Sequence, residues 1–140
     1  MKVDTLDLVT WSDEYSVNIR EIDSQHKKLV KLITLLQKET DEKNQHKAVN
    51  EILEELIKYT VYHFSFEESL FAQYSYPETR IHIQAHTELI EQLKTFLNEF
   101  HSSGNVLPID LINFLQKWLI DHIVGEDKKY SSYLNSKGVN

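Results

Sequence analysis

Five histidines and two carboxylates of this 140-residue chain fall at spacings suited to holding metal. His63 and Glu67 are four apart, His82 and His86 four apart, and His122 and Asp127 five apart, with His26 upstream of them all. Imidazole nitrogen and carboxylate oxygen together suit iron, manganese, zinc or copper, and seven protein ligands are more than one ion normally takes. A single pair four apart on a helix is usually a surface pair or a satisfied core histidine. Three pairs and His26 on the apolar stripes of one bundle, gathered at one end, would instead make a metal site.

The elements that must bring them together are helices. Only three glycines and two prolines punctuate the chain. Pro77 and Pro108 suit first helical positions, and Ser102, Ser103 and Gly104 suit a turn. Helices are expected over about Asp23 to Thr40, His46 to Tyr74, Pro77 to His101 and Pro108 to Val124. Each carries an apolar stripe at alternating three and four spacing. The stripes read Ile22, His26, Leu29, Ile33, Leu36; then Val49, Ile52, Leu56, Tyr59, His63, Glu67, Leu70, Tyr74; then His82, His86, Leu89, Leu93, Phe96, Phe100; then Leu111, Leu115, Trp118, His122. Polar groups therefore occupy core positions, where an unpartnered imidazole or carboxylate costs several kcal/mol.

Short connections make neighbouring helices antiparallel. The fold class expected is all-α, an up-down-up-down antiparallel four-helix bundle with an N-terminal arm and a short C-terminal helix. One domain is expected over residues 1–140, with the arm over 1–22, the bundle over about 23–125 and a turn or helix over 126–140. Such a bundle puts His26, His63, His82 and His122 at one end, and residues four apart lie about 40° apart on a helix, so Glu67 and His86 point inward too. Asp127 does not fit a continuous α-helix, in which five residues swing it roughly 140° from His122. Gly125 between them is expected to take the left-handed conformation, interrupt the helix and turn Asp127 back. His46 and His101 fall at the far end and read as solvated. Glu68, about 100° round from Glu67, reads as a solvent-facing charge. Phe96, Phe100 and Phe114 read as core.

Composition excludes other classes. The chain has no cysteine, which removes disulfides, zinc–thiolate sites and cysteine nucleophiles. A net charge of -7 with no Lys/Arg cluster argues against nucleic acid. No apolar run approaches the roughly 20 residues of a membrane span, and the first twelve residues do not read as a signal peptide. The expectation is a soluble cytoplasmic protein, a monomer rather than an oligomer.

Ile22-Asp-Ser-Gln-His26, His63-Phe-Ser-Phe-Glu67, His82-x-x-x-His86 and Trp118-Leu-Ile-Asp-His122-Ile-Val-Gly-Glu-Asp127 resemble the signature of the hemerythrin family, specifically the single-domain bacteriohemerythrins. The likeness runs from Trp11 to about Leu134, with all seven ligand positions filled. It implies two iron ions (Fe2+/Fe3+) with a bridging oxide or hydroxide. His82, His86 and His122 would bind one iron, His26 and His63 the other, and Glu67 and Asp127 would bridge them. Two six-coordinate irons offer about twelve positions, of which these groups fill all but one. Dioxygen would bind at that vacancy, beside His26 and His63. The resemblance also implies an oxygen pocket of Leu29, Phe64, Trp118, Leu119 and Ile123.

The function expected is reversible dioxygen binding, as carrier, store or delivery protein to an unidentified oxygen-consuming partner, and not enzymatic turnover. The alternative is an oxygen or redox sensor module, or a peroxide or nitric oxide scavenger, using the same centre. Di-iron oxidases in four-helix bundles typically use Glu-x-x-His pairs, and this chain contains none. Its histidine-rich, carboxylate-poor shell carries less negative charge to support high-valent iron.

Overall fold

The computed structural model describes residues 11–40, 46–102 and 108–140. Its helices are α1 (Arg20–Thr40), α2 (His46–Tyr74), α3 (Thr79–Ser102), α4 (Pro108–His122) and α5 (Lys128–Ser136), with a π-helical segment at Ile123–Asp127 joining α4 to α5. No strand occurs among the described residues. Helix α1 packs beside α2 and α4, and α2 beside α3. Ring contacts link α3 to α4, His82 to His122 at one end and Phe96 to Phe114 at 5.5 Å farther along. The starts of α1 and α3 meet the ends of α2 and α4, and at the far end His101 of α3 pairs with Asn50 of α2. This is the up-down-up-down bundle.

Helix ends differ in detail from the sequence expectation. Helix α1 begins at Arg20 because the Ile19 carbonyl already accepts from the Asp23 amide at 2.9 Å. The Asp23 carboxylate reaches back to the Val17 amide at 2.9 Å and to Ser16 Oγ at 2.6 Å, tying down the end of the arm. Pro77 sits in the turn before α3, not at its first position, since the Thr79 amide and hydroxyl both donate to the Tyr76 carbonyl. Ser75 takes a left-handed φ of 56° that closes α2, and the Tyr133 hydroxyl donates to the Tyr74 carbonyl at 2.6 Å, with the Ser75 carbonyl 3.0 Å away. Ser103 and Gly104 lie outside the described residues.

Two hydrophobic clusters form the interior. The larger runs along the bundle from Leu29 and Phe64 to Phe100 and Leu111. The smaller joins the arm (Val17, Ile19) to Ile22, Phe71, Tyr76, Tyr130 and Leu134. Ser131 Oγ of α5 donates to the Val17 carbonyl at 2.6 Å, so α5 and the arm clamp each other. On α2 Val49, Leu56, His63 and Glu67 of the expected stripe are buried, but Leu53, Thr60 and Phe71 are buried in place of Ile52, Tyr59 and Leu70, which are only partly so. Phe100 is buried as expected, while Phe96 and Phe114 are partly exposed against the core.

Candidate metal centre

The seven residues singled out by spacing all arrive between the two clusters, and every one is buried. Two overlapping groups result: Glu67, His82, His86, His122 and Asp127, and His26, His63, Glu67 and Asp127. Glu67 Oε1 lies 3.1 Å from His86 Nε2 and 3.9 Å from His82 Nε2. Its Oε2 lies 3.4 Å from His63 Nε2 and 3.8 Å from His26 Nε2. Asp127 divides in the same way, with Oδ1 2.9 Å from His82 Nε2 and 3.0 Å from His122 Nε2, and Oδ2 3.0 Å from His26 Nε2. Each carboxylate thus offers one oxygen to each histidine set.

Most of these converging atoms lack a well-formed hydrogen bond. Nε2 of His26, His82, His86 and His122, Oε1 of Glu67 and both Asp127 oxygens have no hydrogen-bond partner. Buried polar groups left in that condition are rare and costly. Lone pairs of nitrogen and oxygen aimed at shared points are the donor set that cations of the iron and manganese type accept, so the residues fit a pair of metal ions.

Asp127 reaches the site by a different route from the one expected. Gly125 is not left-handed, and the helix is not interrupted there. Instead the Lys128 amide donates to the Ile123 carbonyl five residues back, the π-type bond of the Ile123–Asp127 segment. A π turn takes in more residues than an α turn, so a five-residue step makes about one full turn and sets Asp127 under His122. Single π turns inside α-helices occur often at functional sites.

Electrostatics follow from burial and crowding. Burial pushes the His63 imidazole down to about 4 against the pull of Glu67, and the His86 imidazole down to about 3 against its bond to Glu68. Both rings are therefore neutral, the state in which a histidine can bind metal. Burial alone would raise the Asp127 carboxyl, but His122, His26 and His82 together hold it well below the ordinary carboxylate range. Burial lowers His122, and the neighbouring Asp127 outweighs that and raises it.

Three partners behind the converging atoms were not singled out from sequence. Gln25 Oε1 lies 2.7 Å from His63 Nδ1. The Tyr130 hydroxyl, fully buried, donates to Glu67 Oε2; burial and the charges of Asp127 and Glu67 raise its phenol well above the ordinary tyrosine value. Glu68, expected to face solvent, is half-buried and bonds His86 Nδ1 at 2.9 Å. No periodicity marks them, since each is fixed by a neighbour on another helix; Gln25 could have been suspected from its place beside His26. His101 is exposed, as expected. The side chain of His46 lies outside the described residues.

Leu29, Phe64, Trp118 and Leu119 line one small cavity of about 20 Å³ together with Ile33, Leu56, Thr60, Leu89, Leu93 and Leu115. Ile123 is fully buried in the same cluster but does not line it. Apart from the Trp118 indole, the cavity's one polar lining residue is Thr60, whose hydroxyl donates to the Leu56 carbonyl at 2.7 Å. Phe64 lies flat on the His86 ring, 3.6 Å between centroids, and Trp118 flat on His122 at 4.5 Å. The cavity wall is thus the back of the histidine set.

A four-helix bundle with this pocket belongs among the helical proteins that carry a histidine–carboxylate cation site in their interior. Within that class, residues 17–134 match the family described as the hemerythrin HHE cation binding domain, and the chain belongs to the hemerythrin family. It is 34% identical over 122 residues to a bacteriohemerythrin of Pseudomonas paraeruginosa, covering 87% of this chain and 78% of that one. It is 32% identical over 127 residues to a hemerythrin-like protein of Naegleria gruberi, covering 89% and 92%. A crystal structure of wild-type hemerythrin superposes with a TM-score of 0.85 at 28% identity, covering 89% of this chain and 96% of that one. The family is one of di-iron, oxygen-binding helical bundles. No helix among the described residues is long and apolar enough to cross a membrane.

Proposed function

We propose that this chain binds dioxygen reversibly at two iron ions held by the seven converging side chains, serving as carrier, store or delivery protein and not as an enzyme. His82, His86 and His122 would hold one iron, His26 and His63 the other, and Glu67 and Asp127 would each offer an oxygen to both. The observation that carries this reading is the division of the two carboxylates, each giving one oxygen to each histidine set. When bound, the iron pair would supply two electrons and an open position for dioxygen.

The chain's own residues do the rest. Neutral His63 and His86 present lone pairs without first losing a proton. Phe64 and Trp118 hold the rings of His86 and His122 in plane by stacking. Leu29, Phe64, Trp118 and Leu119 form an apolar wall that excludes water, with Ile123 packed in the same cluster. The shell counts five imidazoles against two carboxylates, too little negative charge to favour high-valent iron, which suits binding over oxidation of substrates.

The test is the visible spectrum of aerobic protein through repeated removal and readmission of oxygen, beside iron analysis. Two irons per chain, fewer in His63→Ala, and a charge-transfer band that comes and goes with oxygen are expected. Irreversible oxidation in the first cycle, or sustained turnover of added peroxide, would overturn the binding role.

A further inference from the structure

Gln25 is adjacent to His26 in sequence, yet its side chain serves the other histidine of that pair. Gln25 and His63 are each 1% exposed, and Gln25 Oε1 lies 2.7 Å from His63 Nδ1. The amide orientation is fixed from outside. Gln25 Nε2 donates to Glu21 Oε2 at 3.0 Å, and a carboxylate offers only acceptors. A flipped amide would set oxygen against oxygen. Gln25 Oε1 therefore faces His63 and can only accept, so His63 carries its proton on Nδ1 and its Nε2 lone pair points into the centre.

The matching position on the other side is chemically different. His86 Nδ1 bonds the carboxylate of Glu68 at 2.9 Å. A carboxylate draws the imidazole proton toward itself and makes the ring a stronger donor to metal, whereas a neutral amide oxygen fixes the tautomer with much less of that effect. We infer that Gln25 is a positioning residue: it locks His63 in the Nδ1–H tautomer and gives it a neutral partner, so the two-histidine side favours reduced metal more than the side backed by Glu68. The electronic half of this inference rests on the di-iron reading; the tautomer half does not.

Two measurements test it. In the metal-free protein at mildly alkaline pH, imidazole proton–nitrogen correlation spectra should show His63 protonated on Nδ1 in the parent and in Gln25→Glu. In Gln25→Leu a substantial share should move to the Nε2–H form. In chelator competition, Gln25→Leu should bind iron 10- to 100-fold more weakly than the parent, the usual scale for loss of such a partner. Gln25→Glu, with an acceptor restored, should hold its iron like the parent but show a lower reduction potential and faster oxidation of the reduced form. A site where Gln25 merely filled space would not show that split between retention and potential. Circular dichroism establishes that each variant folds, and should Gln25→Leu fail to fold, the potential of Gln25→Glu decides alone. An unchanged His63 tautomer in Gln25→Leu, or an unchanged potential in Gln25→Glu, would overturn the inference. A parent that takes up no iron would defeat the proposed function instead, and the metal-free spectra would still decide how His63 is held.

Discussion

Leu119→Asn asks whether the cavity behind the histidines must be dry. The two side chains are nearly isosteric, so the change alters polarity and leaves the space much as it was. In the parent the cavity of about 20 Å³ has room for one small molecule, but a buried water needs two to four polar partners. Of the cavity's lining residues only Thr60 and Trp118 carry a polar side-chain atom, and the Thr60 hydroxyl proton is engaged by the Leu56 carbonyl. An amide at position 119 adds both donor and acceptor. One or two hydrogen bonds at about 1 kcal/mol each raise water occupancy roughly five- to thirty-fold, since 1.4 kcal/mol is a factor of ten. If water entry limits the lifetime of the oxygenated form, autoxidation should accelerate by about the same factor. The stability cost is larger: roughly 1.5–3 kcal/mol for the lost burial of Leu119 and about 1–3 kcal/mol for an incompletely paired amide. A domain in the middle or upper part of the usual range of about 5–15 kcal/mol still folds. Decay of the oxygenated spectrum, with iron content and helicity measured in parallel, is the assay, and Leu119→Met is the apolar control. A Leu119→Asn protein with its iron intact and the parent's lifetime would refute both the dry-pocket argument and the placement of that face of α4.

Other outcomes are equally open to measurement. Tyr130→Phe removes a fully buried donor to Glu67 without opening a cavity, so metal-free protein should lose about 1.5–3 kcal/mol; a melting temperature no lower than that of Tyr62→Phe, altered at a site 53% exposed, would contradict it. Gly125→Ala should stabilise by roughly 0.5–1 kcal/mol, because Gly125 has no positive φ and a Cβ there meets nothing within 4 Å; a marked loss of stability or of iron would mean the π turn needs glycine after all. Metal-free protein should weaken as pH falls from 6.5 toward about 4. His63 and His86 are held near 4 and 3 in the fold, so over that interval the unfolded chain binds more protons than the folded one, and each proton contributes up to about 1.36 kcal/mol per pH unit. Urea midpoints that stay level or rise between pH 6.5 and 5 would reverse the sign and exclude neutral burial of both rings.

Much of the arrangement was legible before any coordinates. His26, His63, His82 and His122 interrupt apolar stripes at alternate helix ends, and short connections leave an antiparallel bundle as the arrangement that gathers them. What periodicity could not resolve was the choice between adjacent residues. Leu53, Thr60 and Phe71 compete with Ile52, Tyr59 and Leu70 for the same face of α2, and only the positions of α1 and α3 decide which set is buried. Glu68 was misjudged for a related reason. An angle around its own helix cannot reveal that His86 on α3 stands within 2.9 Å.

The sequence by itself determined which atoms take part: side chains with nitrogen or oxygen lone pairs at core positions, five imidazoles to two carboxylates, and no thiol to compete. It also determined the helices, because periodicity and the scarcity of glycine and proline are local properties. Tertiary structure decided how the ligand atoms are shared. The division of Glu67 and Asp127 between two histidine sets depends on distances across four helices, and the five-residue step to Asp127 is met by a π turn whose register is stabilised by what surrounds it. Gln25 and Tyr130 belong to the same category. A hydrogen bond between residues 38 or 63 positions apart leaves no mark in either segment, and it exists only because packing against other helices has already removed the water that would otherwise take its place.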